Sequence, residues 1–151
     1  MSLWSGVKQY PCIIILKEDM STNKLYELWW RYPYRRLLQK QLVTLAIRPG
    51  DRRLPNPKGT REGDIINLRI LLKPGDEEPN LCRLPKLDNF LTSAKISKIT
   101  VKKWSEVADK DLLGASPDCL TKEGAWYNLG LIYNKEIADN DLVSLIRFEY
   151  I

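Results

Sequence analysis

The chain has 151 residues, 44% of them hydrophobic and 28% charged, which fits one soluble domain spanning 1–151 with a sizeable core. Histidine is absent and the three cysteines, Cys12, Cys82 and Cys119, stand far apart. This excludes the usual zinc sites, His-dependent triads and a disulfide scaffold, so no metal and no cofactor is expected. The net charge of +5 is lopsided: residues 1–75 hold 14 Lys+Arg against 6 Asp+Glu, and residues 76–151 hold 10 against 13, giving +8 and −3. Such a concentrated positive field attracts polyanions.

Residues 1–9 read as a loose lead. The run CIIIL, Cys12 to Leu16, is too short to span a bilayer and has no cleavage site behind it. No membrane association is expected, and the cytoplasm is the default compartment. Cys12–Lys17 reads instead as a strand buried on both faces.

Ser21 is a candidate N-cap, and Leu25, Leu28, Trp29 and Tyr32 follow at helical spacing. That predicts a helix whose core face holds Trp29 and Tyr32, with Tyr26 and Trp30 half exposed beside it. Pro33 ends or kinks it and opens a second short helix with Tyr34, Leu37, Leu38 and Gln41 on one face.

Val43–Arg48 reads as a strand with Leu45 and Ile47 on one side and Thr44, Ala46 and Arg48 on the other. A long loop, Pro49 to Asp64, holds three prolines and three glycines. Loops of this length are often functional. Ile66, Leu68, Ile70 and Leu72 then mark a strand from Asp64, residues 73–93 form a connection with at most an edge element, and Lys95–Trp104 is another strand. Ser105 caps a short helix ending near Gly114, and a further helix covers about Leu120 to Tyr133. In the terminal strand Leu142, Ile146, Phe148 and Tyr150 alternate with polar partners. Strands outnumber long helices, which predicts an α+β fold: a closed or nearly closed β-barrel of about five to six mainly antiparallel strands, with short helices in the connections.

The candidate ligand groups are cationic and aromatic. Arg48, Arg52, Arg53, Lys58 and Arg61 cluster on one strand end and loop, where guanidinium groups could grip phosphate bidentately. Arg31, Arg35 and Arg36 form a possible flank, with Tyr26 and Trp30 as possible stacking rings. The competing reading is a core helix with a solvated basic edge and a loop whose cations pair with Asp51, Glu62 and Asp64. Cys119 lacks a visible base and reads as a buried filler.

The order of these pieces resembles an activating-signal-cointegrator homology (ASCH) domain, in the PUA-like barrel superfamily. The resemblance rests on Arg48 in TLAIRPG, on Gly63–Asp64 opening a strand in REGDIINLRI, and on the Trp104–Ser105–Glu106–Val107 junction. It covers about residues 10–151 and implies a PUA-like barrel with a basic cleft for RNA or a nucleotide-like ligand. Some members hydrolyse N4-acetylcytidine or cleave RNA. Many carry Gly-x-Lys-x-x-Thr-x-Arg before the loop, which here aligns with Gln41, Val43, Ala46 and Arg48. Only the arginine remains. Glu123 falls near the family's helix glutamate but lacks those lysine and threonine partners. The expectation is therefore an RNA- or nucleotide-binding module without amidohydrolase activity. The alternatives are a hydrolase of RNA or modified nucleosides, and a protein-interaction module anchored by Trp30 and Tyr26.

Overall fold

The structure, a computed structural model, describes residues 26–53, 60–72 and 86–151. The strand expected at Cys12–Lys17, the Ser21 cap, Lys58, Cys12 and Cys82 lie outside these residues.

Five strands form one mixed sheet curled into a half-barrel: β1 (Tyr26–Arg31), β2 (Leu45–Pro49), β3 (Ile65–Leu71), β4 (Leu87–Lys103) and β5 (Leu142–Tyr150), in the order β1-β3-β4-β5-β2. β1 runs parallel to β3, and the other three pairings are antiparallel. Two helices accompany them, α1 (Arg35–Gln39) and α2 (Lys122–Tyr133). Among the described residues, no helix is long and apolar enough to cross a membrane.

The first predicted helix is instead β1. Its alternation puts Leu28 and Trp30, each 7% exposed, into the core, while Glu27 and Trp29 face the other way. This corrects three assignments: Trp30 is buried rather than half exposed, Tyr32 is 53% exposed rather than core, and Trp29 is half-buried on the face away from the barrel core. The residues fit either period, and six consecutive pairs to β3 decide for the strand. Pro33 acts as expected, sitting at the start of a 3-10 turn (Tyr32–Tyr34) that leads into α1.

β4 begins earlier than the sequence suggests. Its first half pairs with β3 and its second with β5, and a register shift between Ile96 and Lys98 bends it across the barrel. A second shift, between Arg69 and Leu71, buries Leu71 and leaves Leu72 47% exposed, against the expected alternation. The helix expected over Ser105–Gly114 is two 3-10 turns, Trp104–Glu106 and Asp109–Leu112. Acidic side chains cap both: the Lys103 backbone N–H donates to Glu106 and the Ala108 N–H to Asp111. α2 starts on Thr121, whose hydroxyl accepts from the Gly124 N–H, and ends on Asn134 in the left-handed region.

Two apolar clusters sandwich β2 and β5. Inside the barrel, Ala46, Ile146 and Phe148 join residues of β1, β3 and β4. On the opposite face, Leu45, Ile47, Val143 and Leu145 pack beneath Trp104, Leu112, Ala125 and Leu129. Leu142 is 42% exposed, so in β5 it is Val143–Ile146 and Phe148 that carry the core. Strands covered on both faces carry apolar residues continuously, which explains why neither β2 nor β5 alternates cleanly.

Gly114 links these layers. Its carbonyl accepts from the Thr44 and Leu45 N–H groups at 2.8 and 3.1 Å. Its φ of +96° suits glycine, and a Cβ there would lie 2.6 Å from the Thr44 hydroxyl oxygen. Gly114→Ala is expected to destabilise by about 1–3 kcal/mol in urea unfolding, and adding Thr44→Ala should recover only the part due to the contact.

Candidate ligand cleft

β1, β2 and α2 meet around a cleft enclosing about 490 Å³ of empty space, its mouth included. Trp29, Trp30 and Arg31 contribute one side, Leu45, Ile47 and Arg48 a second, and Cys119, Leu129, Ile132 and Tyr133 a third. A wider groove adjoins it and shares Arg31, Tyr34 and Ile132. Between the two stands a bridge: the Tyr34 hydroxyl donates to Asp118 at 2.7 Å, and the Ser116 hydroxyl donates to the other Asp118 oxygen at 2.6 Å. Mostly apolar walls with a few polar groups converging between them are typical of ligand sites.

Arg48 lies at the heart of the cleft. One guanidinium nitrogen donates to the Ile47 carbonyl and the other to the Trp29 carbonyl, each at 2.9 Å. The same group sits 4.7 Å from the Trp30 ring centre, within cation–π range. No carboxylate pairs with it among the described residues. Burial accordingly pulls its pKa below that of an ordinary guanidinium; Tyr133 opposes the shift and neighbouring Arg52 reinforces it.

The other sequence candidates divide. Arg31 lines both the cleft and the adjoining groove. Arg52 lies near enough to Arg48 to be felt electrostatically, and its Nε–H donates to the Pro49 carbonyl at 2.8 Å. The turn that carries Arg52 is fixed by buried Ser144, which accepts from the Arg52 N–H at 2.9 Å and donates to the Gly50 carbonyl at 2.7 Å. Arg53 instead forks onto Asp51, with both contacts at 3.0 Å, and Arg35 meets Asp88 at 2.5 Å. Those guanidinium groups hold both carboxyls below the usual range. Arg36, Arg61 and Glu123 are exposed and do not line the cleft. Tyr26 belongs to β1, but its side chain lies outside the described residues.

Tyr34, Tyr133 and Ser116 line the cleft without having stood out in the sequence, because only the packing of α2 and its preceding turn against β1 brings them there. An aromatic row runs from Tyr34 through Trp30 and Phe148 to Tyr150, with centroid spacings of 6.2, 6.3 and 5.5 Å. Edge-to-face geometry of this kind fixes ring orientation.

Burial raises the Cys119 thiol to about 11 and the Tyr150 hydroxyl to about 12, from ordinary values of 9.0 and 10.0. Burial and Asp118 push Tyr34 higher still. Each group folds as its neutral acid, so its contribution is complete below the ordinary value and lost as pH rises through the folded one. Unfolding free energy measured in urea should therefore decline from about pH 9 upward, and Cys119→Ala should remove the earliest part of that decline.

No protein-family model and no curated protein matches the sequence. Among solved structures, the ASCH domain from Lactobacillus crispatus JV V101 superposes with a TM-score of 0.50 at 8% identity, over 92% of either chain. A protein from Enterococcus faecalis V583 superposes with a TM-score of 0.49 at 12% identity, over 93% of this chain and 88% of its own. The curled five-stranded mixed sheet with its two short helices is thus the α+β, PUA-like fold of an ASCH domain.

Proposed function

We propose that this domain is an RNA-binding module that uses the Arg48 cleft, and that it is not an amidohydrolase. The observation that carries the reading is the partly buried Arg48 guanidinium, a full positive charge that no carboxylate among the described residues neutralises. An uncompensated buried cation is costly, and an anionic ligand supplies the missing charge. Arg31 on the wall and Arg52 nearby extend the positive region toward the mouth. Tyr34, Tyr133 and the half-buried Trp29 offer ring surfaces to bases, a role that Trp30 lies too deep to fill by open stacking. The basic first half of the chain would draw polyanions toward this side, as the ASCH resemblance also implies.

Hydrolysis finds less support. Val43 and Ala46, which occupy the positions of the family's lysine and threonine, are each 0% exposed and place no polar side-chain group in the cleft. Glu123 is exposed at the start of α2 and away from it. Cys119 does line the cleft, but a thiol raised to about 11 supplies little thiolate near neutral pH. The protein-interaction alternative loses its main anchor with the burial of Trp30.

Binding of short fluorescent single-stranded RNA, followed by anisotropy, should weaken steeply with salt. Arg31→Ala and Arg52→Ala should each flatten the log–log salt slope by about 1, whereas Arg36→Ala should leave it unchanged. RNA that fails to bind at low salt would refute the reading.

A further inference from the structure

Trp30 and Arg48 both line the cleft. The Trp30 indole N–H is buried and has no hydrogen-bond partner among the described residues. Beside it, Arg48 uses two carbonyls and keeps further N–H donors, since a guanidinium carries about five. A buried N–H without an acceptor is destabilising in a native structure, and a ligand acceptor would relieve it. The carbonyls of Ile47 and Trp29, the neighbouring backbone acceptors, already accept from Arg48.

This pattern constrains the ligand group. A base edge presents donors as well as acceptors, and its donors would meet few free acceptors here. A phosphodiester inside a strand has acceptors only, but carries one charge and is flanked by sugars on both sides. A terminal phosphomonoester is compact, reaches inward from a single attachment, offers three acceptor oxygens and carries a charge of about −1.5 to −2. The higher charge suits a site where Arg52 adds its field to that of Arg48.

We propose that the inner end of this cleft receives a terminal phosphomonoester, from an RNA end or a free nucleotide, through the Trp30 indole N–H and the Arg48 guanidinium. The proposal rests on the RNA-binding reading and narrows it from any strand to a strand end. Trp30 becomes a specificity determinant, and the apolar and tyrosine walls hold the attached nucleoside.

The test compares one short fluorescent RNA with a 5′-phosphate, a 3′-phosphate or hydroxyls at both ends, with a nucleoside monophosphate and its nucleoside as competitors. A terminal phosphate at one end should tighten binding about tenfold or more, and the monophosphate should compete where the nucleoside does not. Trp30→Phe keeps a ring but removes the N–H; it should weaken binding of the phosphate-ended RNA about tenfold more than binding of the hydroxyl-ended RNA. Equal weakening of both RNAs in that variant would assign Trp30 a packing role and overturn its part in the proposal. RNA that binds equally well with and without terminal phosphate would overturn the proposal and leave the RNA-binding reading standing. Absence of binding by any form would overturn both. Arg48→Lys, checked for folding by circular dichroism, should keep the charge yet lose most of the preference.

Discussion

β1 and β2 lie at opposite ends of the sheet order, and among the described residues no backbone ladder joins them. The Arg48 side chain spans that gap. It leaves β2, passes over the Trp30 ring and donates to the Trp29 carbonyl on β1. A strand edge left unpaired exposes its carbonyls, and a long cationic side chain can satisfy one where a neighbouring strand does not. This contact ties the two ends of the sheet together at the cleft. Enclosing the charge weakens its solvation, and two carbonyls with one ring face compensate only in part. The same group is therefore a structural tie as well as the charge on which the proposed anion site rests.

Around that tie the molecule is built in two layers. The inner cluster fills the barrel, while the outer one seats α2 and its preceding turns on the backs of β2 and β5. The cleft opens where the layers part, so its walls come from both. The Tyr34–Asp118 bridge crosses from the turn after β1 to the turn before α2 and separates the narrow cleft from the wider groove. Ser144, fully buried on β5, anchors the loop that follows β2 and so sets where Arg52 stands. The turn at Gly50 and Arg52 gains a defined position in this way, through one hydroxyl beneath it.

The cations show how proximity in sequence differs from convergence in space. Arg52 and Arg53 are neighbours, yet Asp51 claims Arg53 while Arg52 donates to the Pro49 carbonyl, near enough to Arg48 to be felt electrostatically. Arg35 and Arg36 follow Arg31 closely, but α1 directs Arg35 to Asp88 on β4 and leaves Arg36 in solvent. Of the eight cations singled out by the sequence, Arg31, Arg48 and Arg52 gather at or near the cleft, and Lys58 lies outside the described residues. A run of like charges marks an electropositive region, whereas a site needs geometry that only pairing and packing create.

The sequence by itself determined the strands with unambiguous periods, the proline turn at Pro33, the helix ending at Tyr133 and the barrel class. Those features depend on local alternation, capping and backbone restriction, which neighbouring residues specify. It also singled out Arg48 as a candidate, from its strand face, the cations that follow it and the ASCH-like order of motifs. Only the tertiary structure decided that Tyr26–Arg31 is a strand, since Leu28, Trp29 and Trp30 fit either period until β3 supplies the ladder. The same ladder turned Trp30 inward and brought the Trp29 carbonyl within reach of Arg48. Long-range pairing selects among locally degenerate conformations, and burial then fixes which polar groups keep a partner. Among the described residues that selection left the Trp30 indole without an acceptor beside a cation without a carboxylate.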